Sequence, residues 1–300
     1  MANLITSLYT GASGIYTSQT AVQITGNNIT NASTEGYTRQ AANVVSNTPL
    51  TQSGLTYGTG SSVDSIDRSS DTFITKQLLA QGATYGEYDG ASTPLSDIEQ
   101  VLDISDTSLS SDIDSFFDAW EELSTNPAGT TERQQVIQEA ADLAEHFQQI
   151  DQQLGDVVES INTSIESIIP DLNDNLLQIA NLNQSIMQAE MSGGDANTLR
   201  DQRDLLVQEV SETCGATMYT DSNGMLCLQL ENGLPLVTGN VASTLSTTTV
   251  SGLSEITLTT GNTSFDLDYE DFSGELKGLL EVRDVTIRYF KMILTCWPTP

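Results

Sequence analysis

Positive charge is the scarcest property of this sequence. Ten lysines and arginines stand against 41 aspartates and glutamates in 300 residues, a formal net charge of −31. Nucleic acids and anionic membranes both need basic patches on their partners, so neither is expected to bind. Histidine is nearly missing too. His146, beside Phe147, is the only one, and it reads as a solvated helix residue with no serine or cysteine motif pointing to it. Three cysteines, Cys214, Cys227 and Cys296, form neither a CxxC pair nor a metal-ligand spacing. A Cys214–Cys227 disulfide is open to them, but small, reduced core residues are the expectation.

Other absences narrow the field further. No basic residue precedes Arg39 and no apolar run reaches the length of a membrane span. Neither a Sec-type signal peptide nor a transmembrane helix is therefore expected. "GTGSS" at 58–62 lacks the later glycine and the lysine of a phosphate loop. "DLDYED" at 266–271 lacks the sixth-position glycine of a calcium loop, and Lys277 occupies the twelfth position. It reads as a strand edge with outward acids. No catalytic residue, cofactor or metal is expected, and an enzyme is the least expected class.

Charge of either sign is missing from one whole segment. Between residues 1 and 63 the only ionisable side chains besides tyrosines are Glu35 and Arg39, which cancel; the other 237 residues hold 40 acids and nine bases. Within that neutral segment Met1, Leu8, Ile15, Val22 and Ile29 recur every seven residues, with Leu4, Gly11, Ser18 and Thr25 on the second heptad seam. The remaining faces are Thr, Ser, Gln and Gly, weak helix formers without charge pairs, so such a helix alone in water is marginal. It could be a frayed helix on a core, or a segment that folds against a partner helix. Uncharged flanks, suited to burial on several sides, favour the second reading.

The rest of the chain is clearly patterned. Asn27, Asn28, Asn31 and Gly36 make a turn, then "RQAANVVS" and "GTGSSVDSID" read as two strands around a loop at 47–60. Helical signals begin at Ser70-Asp71, with an apolar face through Phe73, Ile74, Leu78, Leu95, Ile98 and Leu102. A further amphipathic helix is capped near Ser110 or Ser111 and stops at Asn126-Pro127. From Glu132 a 4,3 repeat runs through Val136, Ala140, Leu143, Phe147, Ile150, Leu154, Val157, Ile161 and Ile168, interrupted or kinked at Pro170. A second run through Leu172, Leu176, Ile179 and Ile186 reaches a break at Gly193-Gly194, and "DANTLRDQRDLLVQEVSETCG" makes one more helix. Past Cys214, alternation around Asn223-Gly224 and Asn232-Gly233 predicts a β-meander, with strands continuing to about Phe272.

The predicted fold class is α+β and multi-domain. An elongated α-helical bundle or coiled coil precedes a β-rich domain, and the N-terminal helix is loosely ordered. The expected divisions are 1–40 (N-terminal coiled-coil segment), 41–64 (short β arm), 65–213 (helical bundle), 214–275 (β-rich domain), 276–287 (return segment) and 288–300 (an aberrant tail).

"GNNITNASTEGYTRQ" resembles the N-terminal signature of bacterial flagellar axial proteins, the rod, hook and hook-associated subunits. Two asparagines, an Ala/Asn turn and a glycine-aromatic pair carry it: Asn27, Asn28, Asn31, Ala32, Gly36 and Tyr37. Thr30, Ser33 and Glu35 depart from the usual alanine, asparagine and proline. Tyr37-Thr38-Arg39-Gln40, "DTFITKQL", "LSDIEQVLD", "LSSDIDSFFDAWEELSTNP", "ANTLRDQRDLLVQEVS" and "GELKGLLEVRDV" resemble the hook-associated protein 1 family in its own order, over most of residues 1–287.

The resemblance implies a structural subunit at the hook–filament junction; the alternatives are another axial protein of hook or rod, or a coiled-coil secreted effector or adaptor, which would share the heptads but not the Asn-Gly-aromatic turn. The resemblance further implies extracellular location, export by the flagellar type III apparatus without a cleaved signal, and self-assembly into a ring. Hook protein, a second junction protein and an export chaperone are the implied partners. Leu4, Leu8, Ile15, Val22 and Ile29 would form the polymerisation seam. Asn27, Asn28, Asn31, Gly36, Tyr37 and Arg39 would form the signature turn, with Tyr37 anchoring the corner and Asn and Gly taking left-handed backbone. A neutral helix among identical copies avoids stacking like charges. Residues 1–40 are expected to be unstructured in the monomer. At 288 the sequence changes to "RYFKMILTCWPTP", 13 residues with no acid, which suggests a truncated or frameshifted product, with a genuinely short variant as the alternative.

Overall fold

A computed structural model of the chain describes residues 2–52, 54–102, 109–222 and 224–295. The neutral segment forms helix α1 (Ala2–Thr30), then strands β1 (Gln40–Ser46), β2 (Leu50–Gln52), β3 (Leu55–Tyr57) and β4 (Ser61–Arg68). β1 and β4 pair antiparallel, from Gln40 opposite Arg68 to Ser46 opposite Ser61, with a bulge at Asn43/Val44. The loop between them is not irregular: β2 and β3 form a second hairpin at its tip.

Helices α2 (Thr72–Val101), α3 (Leu109–Thr125), α4 (Thr130–Met191) and α5 (Asn197–Cys214) come next. Asp71 caps α2, its carboxylate accepting from Phe73 N at 2.8 Å and from Ile74 N at 3.4 Å. α3 already includes Ser110 and Ser111, so neither is its cap. The 62-residue α4 is about 90 Å long and runs unbroken through Pro170. Its seam shifts there. Ile161, Ile165, Ile169 and Leu172 are buried, so an extra four-residue step carries the core through Ile165 and Ile169, leaving Ile168 only partly buried.

α2 also departs from its sequence pattern. Its buried face is Leu79, Ala83, Gly86, Gly90, Pro94 and Ile98, whereas Phe73, Ile74, Leu78 and Leu95 are exposed. The reason is backbone approach. α6 (Gly274–Glu281) lies so close that a Cβ on Gly90 would stand 2.6 Å from Glu275 O, and one on Gly278 would run into Glu87 O. Small residues admit this contact and large ones do not.

The β-rich segment is two antiparallel meanders. One orders β5 (Thr217–Thr220), β6 (Leu226–Gln229), β7 (Pro235–Thr238) and β8 (Val241–Ala242) side by side; the other orders β11 (Thr263–Leu267), β10 (Leu253–Thr260) and β9 (Thr244–Val250). Gly233 turns at φ +86° as the Asn-Gly reading requires, and Asn232 accepts from Leu234 N at 2.9 Å; Asn223 lies outside the described residues. After β11, Asp268 and Asp271 close a capping box around a 3₁₀ turn (Tyr269–Asp271), so these acids are turn caps as well as strand edge.

One core joins helices and sheets. Leu154, Ile165, Leu176 and Ile179 of α4 belong to the same buried cluster as Val210, Leu228, Leu236, Leu245, Ile256 and Leu276. Three asparagines, evenly spread along α4, bind strand backbone on that shared side. Asn162 donates to Gly252 O (2.9 Å) and accepts from Ser254 N (3.1 Å); Asn173 pairs both ways with Leu245 (2.8 Å each); Asn183 donates to Leu226 O (2.8 Å) and Gly239 O (2.6 Å). Each amide satisfies backbone groups that a buried sheet–helix contact would strand. Arg283 and Arg203, both buried, complete the outer two, donating to Asn162 Oδ1 (3.0 Å) and Asn183 Oδ1 (3.1 Å).

Beyond α6 a six-residue π-helix (Val282–Ile287) leads into α7 (Arg288–Thr295). Phe290 and Leu294 pack on the core, and Lys291 Nζ lies 3.1 Å from Asp151. Cys214 and Cys227 are buried and free, while Cys296 lies outside the described residues. His146 is not simply solvated: its Nδ1 lies 2.5 Å from Asp112 Oδ2, tying α4 to α3.

Candidate assembly site

α1 has two unlike faces. Toward the arm of β1 and β4 it presents Thr10, Ser13, Thr17, Ile24 and Asn28. Ile24 is buried, and Thr17 Oγ1 donates to Ser61 O at 3.2 Å. Gly60, at φ +100°, meets the helix so closely that a Cβ there would collide with Ser13 Oγ. On the opposite face stand Leu4, Leu8, Ile15, Val22 and Ile29, 70–79 % exposed. A Cβ built at Gly11 or Gly26, on that same side, touches nothing. Among the described residues, the glycines of this face answer to no neighbour.

Several threonine hydroxyls of α1 serve the helix itself. Thr10, Thr20, Thr25 and Thr30 donate to carbonyls four residues back, at 3.0, 3.1, 2.8 and 2.8 Å. These four hydroxyl donors therefore stay satisfied when another surface covers the helix.

Asn28 is the centre of the turn. Its Nδ2 donates to Gln40 O (2.8 Å), while its Oδ1 accepts from Gln40 N (2.9 Å) and from Tyr37 OH (2.9 Å). Tyr37 thus reaches across the corner to the oxygen that Gln40 N also uses. Asn31 caps the end of α1: its N and Nδ2 both donate to Asn27 O at 3.0 Å, and its carbonyl accepts from Thr34 N. Left-handed backbone occurs at Gly36 (φ +72°) but not at the asparagines, which act through side-chain hydrogen bonds instead. The Arg39 side chain is exposed, and its carbonyl accepts from Ser69 N at 2.8 Å.

The turn and the root of the arm are held by α5, a role that the sequence pattern alone did not reveal. Asp201 accepts from Thr38 N (3.2 Å) and from Arg68 (2.6 Å), and Arg68 also reaches Asp204 at 2.9 Å. Asn197 donates to Ile66 O (2.6 Å), Asp195 accepts from Ile66 N (3.1 Å), and Leu205 lies under Gly36. Asn197, Asp201, Asp204 and Leu205 sit at i, i+4, i+7 and i+8, one face of a helix. That spacing in "NTLRDQRDL" was the available signal. Arg68 and Asp201 are both nearly buried, so removing either would leave the other's charge uncompensated away from water. Burial pushes the neighbouring Arg203 guanidinium down, and Asp204 opposes that shift.

Among the described residues, no group of three or more His, Cys, Asp or Glu could hold a metal, and no helix is long and apolar enough to cross a membrane.

Residues 95–294 match the helical domain of the flagellar hook-associated protein FlgK, reaching beyond residue 287, where the resemblance in the sequence ends. Residues 8–38 match the flagellar basal body rod protein family. Hook-associated protein 1 of Salmonella typhimurium is 34 % identical over 239 residues, covering 78 % of this chain and 43 % of that protein. The chain belongs to the FlgK family of flagellar hook-associated proteins. Its Bacillus subtilis relative is 33 % identical over 234 residues, covering 75 % of this chain and 46 % of its own length. The solved flagellar hook junction protein FlgK from Burkholderia pseudomallei superposes with a TM-score of 0.58 at 27 % identity, over 69 % of this chain and 39 % of that one. This FlgK-family chain therefore spans less than half the length of the curated relatives it matches.

Proposed function

We propose that this chain is a structural, non-enzymatic subunit of the bacterial flagellum, placed between hook and filament, and that the exposed face of α1 is its polymerisation seam. The observation that carries this reading is the pairing of opposites on α1. One face is clamped to its own arm, while the other leaves Leu4, Leu8, Ile15, Val22 and Ile29 in solvent, without a charge among them. Neighbouring copies, each carrying −31, can approach along such a strip without like-charge repulsion. Their helices would close over Gly11 and Gly26.

In this reading residues 1–40 are loosely ordered in the free subunit and gain full helicity on assembly, because an uncharged helix with its apolar stripe in water is marginal. The subunit leaves the cell through the flagellar export apparatus, aided by an export chaperone. It works outside, between hook protein and a second junction protein, with no nucleic acid and no membrane insertion. The match to the rod family spans only the turn and helix that axial proteins share, so it does not favour a rod role.

Deletion in the host tests the reading. Intact hooks, missing filaments and filament subunits shed into the medium are expected, with loss of hooks pointing instead to hook or rod. Complementation with Ile15→Glu/Val22→Glu should fail although the protein is exported; restored filaments would remove the seam.

A further inference from the structure

A second charge-poor stripe lies on α2, within the acidic part of the chain. Leu78, Tyr85, Tyr88 and Leu95 are 53, 60, 72 and 44 % exposed, and Gln81 and Ser92 between them are exposed too. Ile74, 62 % exposed, precedes them. From 74 to 95 the steps alternate four and three, so these residues line one seam about 30 Å long, opposite the small-residue face that packs on α6. Alternate 4,3 spacing is the pattern that packs against another helix.

We propose that a second copy of this chain occupies the stripe, as an antiparallel α2–α2 pair. The seam is self-complementary in one register. Setting Tyr85 against Tyr88 of the second copy places Leu78 opposite Leu95, Gln81 opposite Ser92, and the same pairs again on the other side of the twofold axis. Aromatic meets aromatic, aliphatic meets aliphatic and polar meets polar. Flanking positions pair Thr84 with Ala91, Thr75 with Ser96 and Gly82 with Asp89, so no like charges meet. A chain of −31 offers few other surfaces on which two copies can touch. Four large side chains per copy (Leu78, Tyr85, Tyr88 and Leu95) leave water, while Ile74 lies at the edge opposite Glu99 of the second copy. That area, on the order of 800 Å², is small for a specific interface, so the dimer is weak and reversible. The inference concerns this 300-residue chain by itself and does not rest on the junction reading.

Sedimentation equilibrium over a wide concentration range, on the full chain carrying Cys296→Ser, tests it. A concentration-dependent dimer is expected, and Leu78→Glu/Tyr85→Glu should weaken it by about tenfold or more, since each helix would then bury charge against the other. Both side chains sit in solvent in the single chain, so circular dichroism should show the fold intact. A monomer at every concentration, or a dimer indifferent to the two glutamates, overturns the proposal. The register has its own test. Gln81→Cys mixed with Ser92→Cys should form a disulfide-linked pair on oxidation, whereas Gln81→Cys alone should not. Efficient cross-linking of Gln81→Cys with itself would mean a parallel pair and would equally overturn it.

Discussion

Asn28 and Gln40 exchange two hydrogen bonds across a turn: Asn28 Nδ2 donates to Gln40 O at 2.8 Å and Gln40 N donates to Asn28 Oδ1 at 2.9 Å. A side-chain amide thus reproduces the pairing of a neighbouring strand residue. It docks the end of an α-helix on the first residue of a β-ribbon, and Tyr37 shares the same oxygen. The angle between α1 and its arm is set there.

Asn28→Ala removes both bonds and leaves the Gln40 backbone groups to water. A loss of about 1–3 kcal/mol in the stability of the joint is expected. It should appear as faster amide exchange at Gln40 and at Arg68 opposite it in the ribbon, while Leu228 and Ile256 keep their protection. Unchanged exchange at Gln40 would mean that Asn28 does not hold the corner.

Asp201→Ala strips Thr38 N and Arg68 of their shared acceptor. Arg68 keeps Asp204, so the cost should fall near the lower end for breaking a buried pair, about 3 kcal/mol. Proteolysis between residues 38 and 68 should accelerate before the helical core opens. Wild-type kinetics there would argue against α5 as the anchor.

Gly278→Ala tests the close approach of α2 and α6. The added methyl meets Glu87 O and stands 2.8 Å from Ala91 N, both backbone atoms that cannot swing aside. A loss of about 1–3 kcal/mol, read as a lower melting temperature, is expected. Gly11→Ala, with open space around its Cβ, should instead raise helix stability slightly in the single chain.

Burial raises the Glu275 carboxyl pKa, with Asp89 and Glu212 adding to the shift. With the folded value above the unfolded one, the native state holds more protons through that interval. The stability contributed by Glu275 is full below the ordinary value of 4.5 and is lost as pH rises through the folded value. Glu275→Gln should therefore stabilise the chain at neutral pH, with the advantage fading on acidification. A pH-independent difference in denaturant midpoint would show that the charge is not responsible.

Much was legible in the residues alone. The heptad stripe of α1, the charge-free segment, the Asp71 cap, the long α4 and the Gly233 turn arise from local period and turn chemistry, which act over a few residues. The family likeness rests on such short runs as well. The packed face of α2 was not legible, because Gly86 and Gly90 reveal their role only when the Glu212 and Glu275 backbones arrive from more than 120 residues away. The larger apolar residues drew attention to the opposite face. Pro170 reads as a break, yet α4 continues, its core side covered on both sides of the proline. Asn162, Asn173 and Asn183 look like polar residues on a coiled coil until β10, β9 and β6 supply the backbone they bind.

By itself, then, the sequence determined most of the helices and the strands of the meanders, which stretch carries no charge and which stripe of α1 is apolar, since periodicity and charge are properties of neighbours in the chain. Only the tertiary structure decided which face of each helix is covered. It joined Asp201 to Arg68 and Thr38, and it left the stripes of α1 and α2 open. Burial and ion pairing depend on what long-range folding brings alongside, and that is written in no single segment.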